Sequence, residues 1–261
     1  MHTFELHQGT IPLLISLPHN GVEIPDAIRE QLKPFAHSAP DTDWFVDQLY
    51  AFAKDAGASI LKPRYSRYVI DLNRSPDDVS LYPGQNTTGL CPLNAFSGEA
   101  IYLEKRTPSN NDIVHRRAHY WQPYHNALHA EIHRLKQQHG KALLWEGHSI
   151  QPELPFLFQD RLPDFNLGTA SGASFPDAML LEVESILRDQ SQYSWVSNGR
   201  FKGGYITRHY AQPDERIYAF QLELSQSVYM DETMTAFDAG KAAPVQVLIE
   251  QMMRASLDFI D

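Results

Sequence analysis

A single cysteine, Cys91, is the only thiol in the 261 residues. An intramolecular disulfide is therefore impossible, and a cysteine-rich zinc site is excluded. Long apolar runs are missing as well. The stretch Ile11 to Leu17 is too short for a membrane span or a signal-peptide core, and the residues before it carry His2, Glu5 and His7 instead of a basic segment. A cytoplasmic protein without a membrane partner is expected. Positive charge is scarce: 22 Lys and Arg stand against 32 Asp and Glu, a net charge of -10. That balance argues against nucleic acid and anionic membranes, which reward basic surfaces. An anionic small molecule can still bind where a few arginines gather in a cleft. Repeats, low-complexity tracts and linkers are also absent, so one domain over residues 1–261 is expected.

What is present reads as strands alternating with helices. Ile11 to Leu17 is a nearly continuous apolar run and reads as a buried strand, stopped by Pro18-His19-Asn20-Gly21. Asp41 to Ala56 reads as a helix with Asp41 as its cap and Phe45, Leu49, Phe52 and Ala56 on one face. Further strands are expected at 58–61, 68–72, 142–146 and 217–224. Helices are expected at 112–139, 175–189 and 235–257. Residues 75–111 are rich in Pro, Gly, Asn, Ser and Thr, and so long an irregular segment suits a lid or binding loop. The pattern predicts an α/β fold with a mixed, mainly parallel sheet sandwiched by helices.

In such sheets the ligand site lies beyond the carboxyl ends of the strands. Four polar groups fall at expected strand ends: His19, Asn73-Arg74, His148 and Glu223. His19 and His148 each follow an apolar run beside a glycine, which suits either a divalent metal site or a simple strand cap. The carboxylate to accompany them is Asp43, on the polar side of the expected helix, with Asp41 and Glu23 as alternatives. Glu223 shares a strand face with Gln221, opposite Phe220, Leu222 and Leu224. It reads either as a general base or as a solvated edge-strand carboxylate. Arg74 with Asn73 suits a carboxylate clamp; Arg67 and Arg208 are further cations. His125, His129 and His133 recur every four residues on the 112–139 helix, yet no His-Glu-x-x-His motif is formed. They read as surface or boundary residues.

Several segments in chain order resemble the N-formylglutamate amidohydrolase (deformylase) family. They are Ser16-Leu17-Pro18-His19-Asn20-Gly21, Asp41-Thr42-Asp43-Trp44, Ser66 to Arg74, Gly98 to Tyr102, Gly147-His148-Ser149, Gly203 to Arg208 and Gln221 to Ser225. The resemblance implies a fold similar to that of the zinc carboxypeptidases. It implies hydrolysis of N-formyl-L-glutamate to formate and L-glutamate, the last step of one histidine-degradation route. His19, Asp43 and His148 are then the metal ligands, for zinc first and cobalt or another divalent ion second. Glu223 is the base, and Asn73 and Arg74 clamp a substrate carboxylate. Arg67 or Arg208 receives the other carboxylate, and Thr207, Asn94 and Glu99 are further contacts. A peptidase or an amidase for another N-acyl amino acid on the same scaffold is the alternative.

Overall fold

The computed structural model describes residues 2–79 and 88–261. Among these residues seven strands form one sheet: β1 (Phe4–His7), β2 (Leu13–Ser16), β3 (Ser59–Pro63), β4 (Ala142–Ile150), β5 (Phe165–Gly168), β6 (Trp195–Ser197) and β7 (Ile217–Ser225). Their spatial order is β1-β3-β2-β4-β7-β5-β6. The pairs β3–β2, β2–β4, β4–β7 and β5–β6 are parallel, whereas β1–β3 and β7–β5 are antiparallel. The sheet is thus mixed and mainly parallel, with β1 and β6 at its edges.

Side-chain alternation along the strands builds a core on each face. Leu13, Ile15, Trp145, Phe220 and Leu222 point to one face. There they pack on Met179 and Val183 of the helix Asp177–Arg188 and on Val245 and Ile249 of the helix Ala239–Ile260. Leu14, Leu61, Leu144 and Ala219 point to the other face, against Tyr124, Leu128, Ile132 and Leu135 of the helix Gln122–His139. On this second face β4 and β7 change character along their length. Ala142 pairs with Ile217 and Leu144 with Ala219; the next pairs on that face are Glu146 with Gln221 and His148 with Glu223. The polar pairs stand at the carboxyl ends, where the core gives way to a cleft.

The structure corrects several local expectations. Residues 68–72 are buried but form no strand: Val69 N–H donates to Ser66 and Asp71 N–H to Leu90. Their apolar run reflects packing in the second core, which period alone does not separate from a sheet. The helix expected over 41–56 is reduced to two short pieces, Val46–Leu49 and Phe52–Asp55, because Phe45 takes a left-handed conformation with φ 58°. Asp41 is not a cap; it accepts from Tyr68 Oη and from Phe96 N–H, both at 2.8 Å. The helix expected from 112 begins earlier, with a capping box between Ser109 and Asp112. It passes through a π-helical turn at Arg117–Trp121 just before Pro123, where the ring cannot donate to the ladder. Left-handed Gly140 ends it, with φ 72°. Strands β1, β5 and β6 have three or four residues each and were too short to announce themselves. Part of the expected 75–111 lid, residues 80–87, lies outside the described residues.

His125 is the exception among the three helix histidines. It is buried, stacked on Trp121 at 3.6 Å, and its Nε2–H donates to the Leu72 carbonyl while Nδ1 accepts from Tyr210 Oη. The short helix Tyr205–Tyr210 covers what sequence periodicity takes for the boundary of the exposed face. Burial lowers its pKa to about 3, so the fold holds the neutral ring. Below the usual value of 6.5 the unfolded chain takes up a proton that the folded chain refuses. Stability is therefore lost as pH falls from about 6.5 toward 3, at up to about 1.4 kcal/mol per pH unit. Urea midpoints measured across this range are expected to fall more steeply for the native chain than for His125→Gln; parallel curves would contradict the assignment.

Candidate active site

His19 lies in the turn that follows β2, and its carbonyl accepts from Asp43 N–H at 3.1 Å. This bond brings the 41–44 segment over the ends of β2 and β4. His19, Asp43 and His148 are all buried, each offering a ligand atom within 4.8 Å of the others. His148 Nδ1 is 2.9 Å from Asp43 Oδ2, and His19 Nδ1 is 3.8 Å from the same oxygen. Ser149 N–H also donates to Asp43 Oδ2, at 3.2 Å.

The far nitrogen of each ring meets another buried carboxylate. His19 Nε2 is 2.7 Å from Asp71 Oδ1 and His148 Nε2 is 2.7 Å from Glu146 Oε1. Asp71 also receives Arg67 Nη2 at 2.7 Å, and Arg67 lies over the Phe96 ring at 4.6 Å. The Nε of Arg67 is buried without an acceptor among the described residues. Arg74 donates to the Thr88 and Asn73 carbonyls and to the Thr88 hydroxyl.

These contacts set the charge states. Burial would lower the pKa of His148, but Glu146 and Asp43 on either side outweigh it and hold the pKa well above the usual value. For His19, burial and the nearby Arg67 charge prevail over Asp71 and lower the pKa. Asp71 is held well below the carboxylate range: its burial is outweighed by Arg74, His19 and Arg67. Glu223, beside His148 on the adjacent strand, is pushed up to about 8, chiefly by burial.

One cavity is lined by His19, Asp43, His148 and Glu223 on its inner side and by Asn73, Arg67 and Arg74 beside them. The solvated edge-strand reading of Glu223 is excluded, since β7 is an interior strand and the side chain is buried. Thr207 is buried and turned to Glu146. Arg208 is exposed and donates to the Gly203 carbonyl. Asn94 lines a neighbouring cavity with Leu93 and Phe156, and Glu99 faces Lys33 at 3.7 Å. Glu23 is held by Arg64 at 2.7 Å, away from the cluster. Sequence reasoning gave no role to Glu146, Asp71, Gln221 or Arg200, the last of which also lines the cavity. For Glu146 and Gln221 a signal existed: each is the first polar side chain after an apolar run along its strand, on the face it shares with His148 or Glu223.

Glycine is required where the Gly203-Gly204 turn meets this wall. Gly203 has φ 117°, and a Cβ on Gly204 would stand 2.2 Å from Asn73 Nδ2. Asn73 Oδ1 accepts from Ile206 N–H, and Gln221 Oε1 accepts from Gly204 N–H. Gly204→Ala is expected to push Asn73 aside and lower kcat/KM about 10²-fold, as misplacement near a reacting group does. Steady-state kinetics beside a melting curve checks this, the melting point moving by only a few degrees.

A carboxyl of raised pKa beside an imidazole–carboxylate cluster, with guanidinium groups facing the same space, is the layout of a hydrolytic enzyme site. The family described as N-formylglutamate amidohydrolase matches residues 11–230. An N-formylglutamate deformylase of Pseudomonas putida is 48% identical over 252 residues, covering 96% of this chain and 94% of the relative. Another from Pseudomonas aeruginosa is 45% identical over 251 residues, with the same two coverages, 96% and 94%. This chain belongs to the N-formylglutamate amidohydrolase family. Among solved structures, N-formylglutamate amidohydrolase from Ralstonia eutropha JMP134 has a TM-score of 0.79 at 24% identity, covering 100% of this chain and 97% of that one. A gene product of Agrobacterium tumefaciens has a TM-score of 0.74 at 18% identity, covering 99% and 96%. At those identities the two structures establish the shared fold.

Proposed function

We propose that this chain hydrolyses N-formyl-L-glutamate to formate and L-glutamate, with a divalent metal ion held by His19, Asp43 and His148. The observation that carries the metal is the donor set. Both rings give their Nε2 side to a carboxylate and turn Nδ1 to Asp43, as metal-ligating histidines do. Charge supports the same reading. Asp43, Asp71, Glu146 and Glu223 are buried against one fully buried guanidinium, Arg67, with Arg74 nearby. The raised pKa of His148 is this negative excess drawing a proton, Glu223 is raised chiefly by burial with Asp43 and Glu146 adding to it, and a dication satisfies the excess equally well. Imidazole and carboxylate ligands suit zinc, with cobalt or another divalent ion as substitutes. Such an ion, when bound, acidifies water and polarises a carbonyl oxygen.

The chain's own residues supply the rest. Glu223 accepts a proton from the water whose oxygen attacks the formyl carbon. The C–N bond then breaks, the same proton passes to the departing amine, and formate and L-glutamate result. Arg67 Nε, which has no acceptor among the described residues, is the donor for the developing oxyanion. A dicarboxylate needs two cations: Arg74, steadied by Asn73, takes one carboxylate and Arg200 the other. Histidine degradation is the route that this product suits, in a cytoplasmic enzyme. Among the described residues no helix is long and apolar enough to cross a membrane. The mixed sheet and strand-end site also support the zinc-carboxypeptidase-like kinship and a single domain over 1–261. Hydrolysis of N-formyl-glutamate, run beside N-acetyl-glutamate, N-formyl-aspartate and short peptides, tests the reading. Preference for N-formyl-glutamate is expected; faster cleavage of peptides or of other N-acyl amino acids would replace it with the peptidase or amidase alternative.

A further inference from the structure

Glu146 lies outside the cluster of His19, Asp43 and His148, yet it is wholly buried on an interior strand. A buried carboxylate is costly unless its oxygens find donors. One oxygen, Oε2, is satisfied by Thr207, which donates its N–H at 3.0 Å and its hydroxyl as well. The other, Oε1, faces His148 Nε2 at 2.7 Å.

Two neighbours compete for that ring nitrogen, because Asn73 Nδ2 also approaches it, at 3.1 Å. In the neutral ring that a cation needs, the two contacts demand opposite tautomers. If Asn73 donates, Nε2 is bare, the proton sits on Nδ1, and the ring is bonded to Asp43 instead of being ready for a metal. If Nε2 carries the proton, it donates to Glu146 and leaves the Nδ1 lone pair directed at the space shared with His19 and Asp43. The carboxylate decides, since a charged acceptor forms roughly twice as strong a bond as a neutral pair. Without this proton Oε1 would be a buried anionic oxygen with no other hydrogen-bond donor found for it among the described residues. The Asn73 carbonyl oxygen is already engaged by Ile206 N–H, so the amide cannot flip to accept without losing that bond.

We infer that Glu146 is a positioning residue that selects the Nε2–H tautomer of His148 and so keeps Nδ1 available to a divalent cation, with Thr207 fixing the carboxylate. This rests on the metal reading above. It also explains the placement of Thr207, which turns away from the cavity to Glu146. Carboxylate-to-histidine support of this kind alters metal affinity about 10–100-fold when removed.

Glu146→Gln tests it, because an amide cannot accept from both Thr207 and His148. Either its NH2 faces the ring and enforces the wrong tautomer, or its NH2 faces the Thr207 N–H. Zinc(II) affinity is measured by competition with a chromophoric chelator, on metal-free protein whose folding is checked by circular dichroism. Glu146→Gln is expected to weaken zinc binding about 10–100-fold, and Thr207→Val, which keeps the N–H but loses the hydroxyl, a few-fold. With cobalt(II), the visible absorption band of the native chain is expected to shift or weaken in Glu146→Gln. A folded Glu146→Gln that binds zinc within about two-fold of the native chain overturns the inference. If that variant does not fold, Thr207→Val decides in its place: weakened binding supports the tautomer role and unchanged affinity rejects it. Native protein that binds neither zinc nor cobalt overturns the metal reading and this inference together, whereas native binding with unaffected variants overturns this inference alone.

Discussion

Glu223→Gln is expected to lower kcat about 10²–10⁴-fold, the range that a positioned general base contributes, while the protein keeps its metal. Glutamine preserves the shape and a hydrogen-bonding oxygen, so little but proton acceptance is lost. Stability should not suffer. The Glu223 pKa is pushed up to about 8 by burial, so at neutral pH the ion-free fold already favours the uncharged form that an amide imitates. The rise has a second consequence, since a base must be ionised to act. A cation at the neighbouring cluster favours the ionised carboxylate and draws its pKa back down. The acid limb of the rate should accordingly disappear in Glu223→Gln, along with most of the activity. Turnover and metal content measured on the same sample decide the matter. Near-normal turnover with metal bound would remove Glu223 from the mechanism.

The second large effect is expected from metal removal. Chelation to verified absence of metal should abolish detectable turnover, and zinc or cobalt should restore it. The stripped protein should stay folded, because the cluster has another way to balance its charge. His148 becomes an imidazolium between Asp43 and Glu146, each within 2.9 Å of a ring nitrogen. The same protonation competes with the metal, so affinity should fall as pH is lowered. Added metal should raise the melting point with concentration, as any ligand of the native state does. His148→Ala should match the stripped protein in activity and lose the metal-dependent rise in melting point. Full activity in protein shown by elemental analysis to contain no metal would defeat the mechanism.

The candidate cluster was easier to read from residues than the groups that hold it. His19, His148 and Glu223 interrupt or follow apolar runs, and such interruptions are visible along a strand because burial there is periodic. Asp43 joins His19 and His148 by a different route from the one expected. It was placed on a helix that Phe45 breaks, and it reaches the cluster through the bond of its N–H to His19. Arg200 follows the three-residue strand β6 and could not be placed, because nothing local assigns that loop to the cavity. Arg208, a cation near a glycine turn in sequence, is exposed and donates to the Gly203 carbonyl instead of joining the described lining of the cavity.

Glu146 illustrates the division most plainly. Sequence alone determined the α/β layering, the apolar spines of β2, β4 and β7, and the polar residues at their ends, because side-chain alternation is a local property of the chain. Tertiary structure alone decided which polar residues face one another. Strand order placed His148 opposite Glu223, and the turn at Gly203-Gly204 set Thr207 on Glu146. Those pairings join residues dozens of positions apart, through register and loop closure. No periodicity in the chain encodes them.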